Sequence, residues 1–358
     1  MIPLLDTIKK SLGSLLPQER PSKVLGIDIG TSSLKIVELT NAFGKLSLST
    51  YGEVVLGPYD SKEAWEVVTP TSDMIDKALG DIMREAQATA PVAGIGISSV
   101  SSFIFILNLP NVPEEMLGPA VVNEVRKFLP IDPSQISLDW YELPKLSFQN
   151  VDTKEVLVAA IKNDILSTMK VGIPSTLFTQ SFYEIETFSI LRSAYKRELS
   201  TTALIDCGAS ATRVACTQFG ILRTIQTIKR GGYQLTEALR VELGNVNFKD
   251  AEIHKKKNAS PANSQAVKTY CDALISEIMG VINKYEQTEK STVSRIILSG
   301  GASRLQGFKE MIEAKSKKEV VFINPFEKVE TPSMLHDPLY QSGPEFGQAA
   351  GLALKLFS

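Results

Sequence analysis

The chain has 358 residues, 43% hydrophobic and 22% charged, enough to bury a substantial core in two domains or one bilobed unit. A formal net charge of −2 and a pI near 5.9 leave no electrostatic footprint for nucleic acid. No apolar run approaches the roughly 20 residues of a membrane span. Cys207, Cys216 and Cys271, with His254 and His336, show no metal-type spacing, so reduced thiols are expected and zinc is not.

In chain order, Leu4, Leu5, Ile8, Leu12, Leu15 and Leu16 repeat at helical spacing, with Lys9 and Lys10 on another face and Pro17 as a stop. Residues 1–22 therefore read either as a weak interfacial anchor or partner helix, or as a helix docked on its own fold or a frayed terminus. They lack the basic start, continuous apolar centre and small-residue cleavage site of a secretory leader. Next comes "VLGIDIGTSSLKIVEL", Val24 to Leu39: two apolar runs around Gly30-Thr31-Ser32-Ser33, with Asp28 in the first run and Lys35 in the second. That pattern predicts a β-hairpin.

Thr71-Ser72-Asp73 suits the cap of a helix with Ile75, Leu79, Ile82, Met83 and Ala86 at helical spacing. Residues 93–98 and 103–109 read as strands. Pro113-Glu114-Glu115 opens a helix with acidic residues where its dipole favours them. Leu117, Val121, Val125 and Phe128 form its apolar face, and Pro130 and Pro133 end it. Residues 136–143 and 155–161 read as two further strands, so 103–161 is strand, helix, strand, strand. A helix over 184–197 follows. After a second hairpin, Gly231-Gly232 leads into a helix with Leu235, Leu239 and Leu243 on one face. Another helix spans roughly 264–288. A strand from 295 runs into Gly300-Gly301, and 345–357 forms an apolar helix.

The second hairpin echoes the first. "GIDIGTSSLKIV" (26–37) aligns with "LIDCGASATRVA" (204–215): Asp28 with Asp206, Gly30 with Gly208, Ser32 with Ser210 and Lys35 with Arg213. Turn chemistry alone favours an Asp-x-Gly. It does not explain a retained serine, basic residue and pair of apolar flanks, so the chain reads as a duplicated lobe.

Backbone N–H groups in a glycine-centred turn converge into an anion site, and small hydroxyl residues add donors. An aspartate just before such a turn repels a phosphate unless a cation lies between, which suits Asp28 and Asp206 as outer ligands of Mg²⁺. Lys35 would reach a phosphate as a point charge. Either hairpin alone reads equally as a plain turn with a capping aspartate; two copies and a third glycine turn favour the anion site.

In this order, Asp28–Lys35, Asp206–Arg213 and Ser299–Gly307 resemble the phosphate-1, phosphate-2 and adenosine motifs of the superfamily of actin, heat-shock chaperone and sugar-kinase ATPases. "AEIHK" (251–255) is similar to the nucleoside-lining segment of its FtsA-like branch, and "KFLPIDPSQISLDWYEL" (127–143) resembles the insertion of the PilM family of type IV pilus assembly proteins. The resemblance runs from about residue 23 to the end. It implies an α/β actin-like ATPase fold of two ribonuclease-H-like lobes, with ATP and Mg²⁺ between them. The first lobe would comprise 23–102, 174–199 and the helix 345–357, the inserted partner-binding unit 103–173, and the second lobe 200–344.

Position by position, the resemblance implies phosphate contacts from Gly30, Thr31, Ser32, Ser33, Lys35, Gly208, Ser210 and Thr212. Asp28 and Asp206 would hold magnesium through water. Gly231, Gly232, Glu252, Lys255, Gly300, Gly301 and Ser303 would surround the sugar and base. Glu184, with Glu186 as runner-up, is the expected partner of the attacking water. The implied role is a cytoplasmic adaptor, peripheral at the inner membrane face, that binds the N-terminal cytoplasmic peptide of a PilN-like bitopic membrane protein. Pilus motor ATPases and self-association are further implied contacts. An adaptor needs at most slow ATP hydrolysis. The competing expectations are an FtsA-like polymerising division protein, which would carry a linker and membrane-binding helix after the fold, and a small-molecule kinase, which would need a base beside an acceptor pocket.

Overall fold

The computed structural model describes residues 21–98, 102–129, 132–144, 152–174, 176–195 and 200–357. The helical pattern of residues 4–16, the stop at Pro130 and the last two residues of the helix expected over 184–197 lie outside them. The chain divides into two compact units, Arg20–Ile97 with Gly172–Ser358, and Ser98–Val171.

In the larger unit an apolar run, Val24 to Ile27, is buried on both faces as the centre of β1 (Lys23–Ile29). It pairs antiparallel with β2 (Ser33–Ala42) and parallel with β4 (Val92–Ile97). With β3 (Lys45–Val55) and β8 (Gln180–Ile185) these form a sheet of order β3-β2-β1-β4-β8. A second sheet repeats the plan: β9 (Thr202–Cys207), β10 (Thr212–Gln218), β11 (Ile221–Ile228), β12 (Arg295–Ser299) and β13 (Glu319–Phe322), in the order β11-β10-β9-β12-β13. In each, three antiparallel strands are followed by two parallel ones. The echo between the two hairpins is thus the visible part of two like sheets.

β3, β8, β11 and β13 are additions to the sequence reading. "KLSLSTYGEVV" is rich in Ser and Thr and half-exposed along most of its length, so its apolar signal is weak. The helix expected to begin at 184 begins at 186. Glu184 and Ile185 instead end β8, pairing with Gly96 and Ile97, because that parallel ladder satisfies their backbone groups first.

Helices cover the sheets. α1 (Ser72–Glu85) is capped by Thr71, whose side chain accepts from the Met74 N–H. α4 (Glu186–Ala194) and α10 (Gly347–Leu354) lie on the first sheet. Their approach is close: a Cβ on Gly26 would sit 1.9 Å from the Ala349 carbonyl oxygen, and one on Gly351 1.8 Å from that of Ser189. The C-terminal helix is therefore part of the first lobe's core. On the second sheet, α5 (Gly232–Glu242) and α7 (Gln265–Glu289) bury Leu235, Leu239, Leu274, Ile275, Ile278 and Ile282 against β9 and β10. Each such side chain contributes about 1.5–3 kcal/mol. α6 (Phe248–Lys257), α8 (Phe308–Ser316) and α9 (His336–Ser342) complete the unit.

The smaller unit is an antiparallel sheet of β5 (Ser102–Pro110), β6 (Ile136–Glu142) and β7 (Thr153–Lys162), with β7 central. α2 (Glu114–Phe128) covers one face, packing Leu117, Val121 and Val125 on Leu107, Leu109, Val156, Val158 and Ala160. Its end leaves Phe128 exposed, stacked on Phe105 at 5.8 Å between ring centroids. α3 (Asn163–Gly172) follows β7.

Candidate functional site

In both hairpins the aspartate stands opposite the basic residue in the ladder, Asp28 with Lys35 and Asp206 with Arg213. In both, the glycine N–H closes the turn onto the carbonyl three residues on, Gly30 to Ser33 and Gly208 to Ala211, at 3.0 Å. The two turns meet: Thr31 Oγ1 donates to Ser210 Oγ at 3.3 Å, although 179 residues separate them. The third turn arrives from β12. Gly300 has φ +82°, and a Cβ there would stand 2.4 Å from the Cys207 carbonyl oxygen and 2.9 Å from Asp206 Oδ1. Only glycine fits, which brings the third turn against the second aspartate.

Acidic charge accumulates beneath the turns. Burial pushes the Asp28 carboxyl up to about 7, and repulsion from Glu186 and Asp206 adds to it against the pull of Lys35 and Arg213. Arg213 bridges two of these carboxylates, with Nε 2.7 Å from Glu186 Oε1 and Nη1 3.2 Å from Asp206 Oδ2. Gln348, with its amide nitrogen turned toward them, donates to Asp28 Oδ1 at 2.9 Å and Glu186 Oε2 at 3.3 Å. Burial disfavours the Lys35 charge, but Glu53, Asp28 and Glu345 outweigh it and hold the ammonium above its usual range. Its Nζ lies 2.6 Å from Ser33 Oγ and 3.1 Å from Glu53 Oε1.

On the nucleoside-type side, Gly232, Lys255 and Ala302 converge: a Cβ on Gly232 would lie 3.2 Å from both Lys255 Nζ and Ala302 Cβ. Lys255 Nζ contacts Glu252 Oε2 at 2.5 Å, Thr236 Oγ1 at 2.8 Å and the Gly232 carbonyl oxygen at 3.1 Å. Desolvation lowers the Lys255 pKa against the pull of Glu252. Glu345 comes within 3.5 Å of the same built position on Gly301.

The structure therefore brings Asp28, Gly30, Thr31, Ser32, Gly208, Ser210, Asp206, Gly231, Gly232, Glu252, Lys255, Gly300 and Gly301 together around the meeting turns. Four expected contacts turn inward instead, Lys35 being held by Ser33 and Glu53 as above. Ser33 is buried and receives Lys35, Thr212 Oγ1 donates to the Arg230 carbonyl at 2.8 Å, and Ser303 Oγ donates to the Gly300 carbonyl at 2.6 Å. They brace the turns rather than line the opening. Glu184 is also committed elsewhere: it is buried, with both oxygens 2.7 Å from Arg192 nitrogens and Oε1 3.2 Å from Lys355 Nζ. Glu186 at the start of α4 is the acidic group beside Asp206. Sequence reasoning missed Glu53, Glu345 and Gln348. Glu53 lies on the unassigned β3, and nothing local marks the other two.

The site fits a magnesium nucleotide. It offers surplus negative charge that a divalent cation relieves, hydroxyl and N–H donors above it, and glycine edges where a Cβ would intrude. Among the described residues no group of three or more metal-ligating side chains occurs, so such an ion would take most ligands from water and phosphate.

Two sheets of like order, with glycine turns meeting between paired aspartates, define an actin-like ATPase fold. The family model of the type IV pilus assembly protein PilM matches residues 26–357. The chain belongs to that family. It is similar to a PilM-PilN type IV pilus biogenesis complex at a TM-score of 0.81 and 21% identity, over 95% of this chain and 100% of that one. The ethanolamine utilization protein EutJ from Carboxydothermus hydrogenoformans gives 0.53 and 14%, covering 98% of both chains. A MamK double helical filament gives 0.51 and 15%, covering 94% of this chain and 98% of that one.

Proposed function

We propose that this protein is an ATP-binding adaptor of type IV pilus assembly that engages the cytoplasmic N-terminal peptide of a PilN-like bitopic membrane protein. It sits at the inner face of the cytoplasmic membrane through that partner and links the membrane platform to the motor ATPases. Family membership over residues 26–357 supports the pilus role, and the similar PilM-PilN complex supports the partner class. Among the described residues no helix is long and apolar enough to cross a membrane, in keeping with attachment through a partner. The observation that carries the nucleotide reading is the meeting of Thr31 and Ser210 above Asp28 and Asp206.

Asp28 and Asp206 would hold Mg²⁺ through water, and a bound Mg²⁺ neutralises phosphate charge. Thr31, Ser32 and Ser210, with the N–H groups of their turns, would receive the β- and γ-phosphates. Gly231, Gly232, Glu252, Lys255, Gly300 and Gly301 would enclose the nucleoside. Lys35 and Ser33 stiffen the first turn from below, and Thr212 and Ser303 do the same for the second and third. We move the water-orienting role from Glu184 to Glu186, which Arg213 joins to Asp206. Its ion pair with Arg213 at 2.7 Å fixes the position of the carboxylate. An adaptor requires only that nucleotide bind one lobe arrangement better than another.

The peptide is assigned to the Ser98–Val171 unit, which has two sheet edges, exposed Met116 and Phe128 and, among its described residues, no candidate catalytic group. An extended peptide loses entropy on binding, so moderate affinity resting on a few apolar anchors is expected. Calorimetry tests the first half: Asp206→Ala should lose Mg²⁺-dependent ATP affinity, and unchanged affinity refutes the cleft assignment. Peptide titration with hydrogen-exchange mapping tests the second half. Protection should appear within 98–171, and its absence there returns the FtsA-like and kinase readings.

A further inference from the structure

The loop after β3, residues 56–70, starts in the first lobe and reaches the second. Its base is fixed to the first glycine turn: Leu56 N–H donates to the Ser32 carbonyl at 2.9 Å and Val68 N–H to that of Thr31 at 2.8 Å. Farther along, the Glu63 carboxylate accepts from the backbone N–H groups of Phe248 at 3.2 Å and Lys249 at 3.0 Å, the first two residues of α6. Two residues on, the Trp65 ring lies under Lys256 of the same helix, 4.5 Å from Nζ to centroid. Trp65 has φ +67°, a left-handed conformation that bulky residues avoid, so the local fold spends strain to present this ring.

α6 is the helix that carries Glu252 and Lys255. Its first residue, Phe248, stacks on Tyr233, next to Gly231-Gly232, at 5.3 Å between centroids. The local cap Asn247 satisfies only the Asp250 N–H, at 2.7 Å. Two of the remaining orphan donors are therefore met by a carboxylate from the opposite lobe, where the helix dipole also favours it. One short loop thus grips the phosphate-type turn at its base and the nucleoside-type helix at its apex. A ligand held between them leaves only if the two part, and parting breaks the contacts of Glu63 and Trp65.

We propose that Glu63 and Trp65 are positioning residues of the cleft: they clasp α6 from the first lobe and set the rate at which a nucleoside di- or triphosphate leaves. The proposal rests on the nucleotide reading above. Glu63 is exposed and Trp65 partly so, and removing either takes nothing from the cores. The test uses the full-length protein and a fluorescent ATP analogue with Mg²⁺ in stopped flow. Glu63→Ala and Trp65→Ala should each raise the dissociation rate, by about tenfold for the charge-assisted contact, with association nearly unchanged. Glu63→Gln, which keeps an acceptor oxygen, should fall between. In nucleotide-free protein, Glu63→Ala should speed hydrogen exchange of the Phe248 and Lys249 amides while melting temperature stays within about 1 °C of wild type. Unchanged dissociation rates in variants of a wild type that binds the analogue overturn the clasp. A wild type that binds no analogue overturns the nucleotide reading instead, and unchanged exchange at Phe248 and Lys249 then overturns the clasp as well.

Discussion

Replacing Asp28 by asparagine should stabilise the nucleotide-free protein and destroy its response to magnesium nucleotide. Asp28 is half-buried, and its carboxyl is pushed from 3.8 up to about 7, first by burial and then by Glu186 and Asp206. At 1.36 kcal/mol per decade, the rise is worth about 4 kcal/mol against folding above pH 7. Solvent reaching the cleft screens part of this, leaving about 1–3 kcal/mol. Because the folded value lies above the unfolded one, the wild type carries no penalty below about pH 4 and loses stability as pH rises toward about 7. The asparagine side chain carries no charge at any pH. The variant should therefore melt a few degrees above wild type at pH 8, about 2–5 °C, with a smaller gap at pH 5. Saturating Mg-ATP reverses the order, since ligand at a hundred times its dissociation constant adds about 2.7 kcal/mol to wild type. Scanning fluorimetry at the two pH values, with and without Mg-ATP, decides it. An Asp28→Asn protein that is less stable than wild type at pH 8 without nucleotide refutes the electrostatic argument. One that keeps a magnesium-dependent shift refutes the metal assignment.

Gly26→Ala should cost about 3 kcal/mol or more, because its Cβ would stand 1.9 Å from the Ala349 carbonyl oxygen; a melt within 2 °C of wild type would show that α10 yields easily. Glu184→Gln should be destabilised by about 3–5 kcal/mol in denaturant melts, since it leaves the mostly buried Arg192 and Lys355 side chains without their carboxylate. If that variant instead melts normally and loses ATP turnover, Glu184 is the catalytic group and Glu186 is not. Glu186→Gln should keep Mg-ATP affinity within about threefold and remove slow hydrolysis, read by phosphate release. Wild-type turnover of about 1 s⁻¹ or more without partner would contradict the adaptor reading.

The duplication, both aspartate hairpins, the three glycine turns and the strand-helix-strand-strand unit were legible from the chain alone. Each rests on information carried within about a dozen residues: apolar periodicity, turn residues, and acidic residues at helix starts. β3, β8, β11 and β13 were not: β3 and β11 carry polar residues on an open face and lose their alternation signal, and all four form by pairing with β2, β4, β10 and β12. The start of α4 was misplaced by two residues for the same reason, a ladder to β4 winning over helical spacing. Within the site, Asp28 and Asp206 could be named from the sequence, but the direction in which neighbouring side chains point could not. Ser33, Thr212 and Ser303 share the residue types of phosphate contacts, yet Ser33 receives Lys35, Thr212 donates to the Arg230 carbonyl and Ser303 to the Gly300 carbonyl. Gln348 reaches Asp28 across 320 positions, and Glu63 reaches Phe248 across 185. Local periodicity and turn chemistry thus determined which segments could hold phosphate and metal. Which groups lie together, which carboxylates share charge and which loop reaches α6 were decided by packing between segments far apart in the chain, where burial and Coulomb energy depend on distance in space and not on separation in sequence.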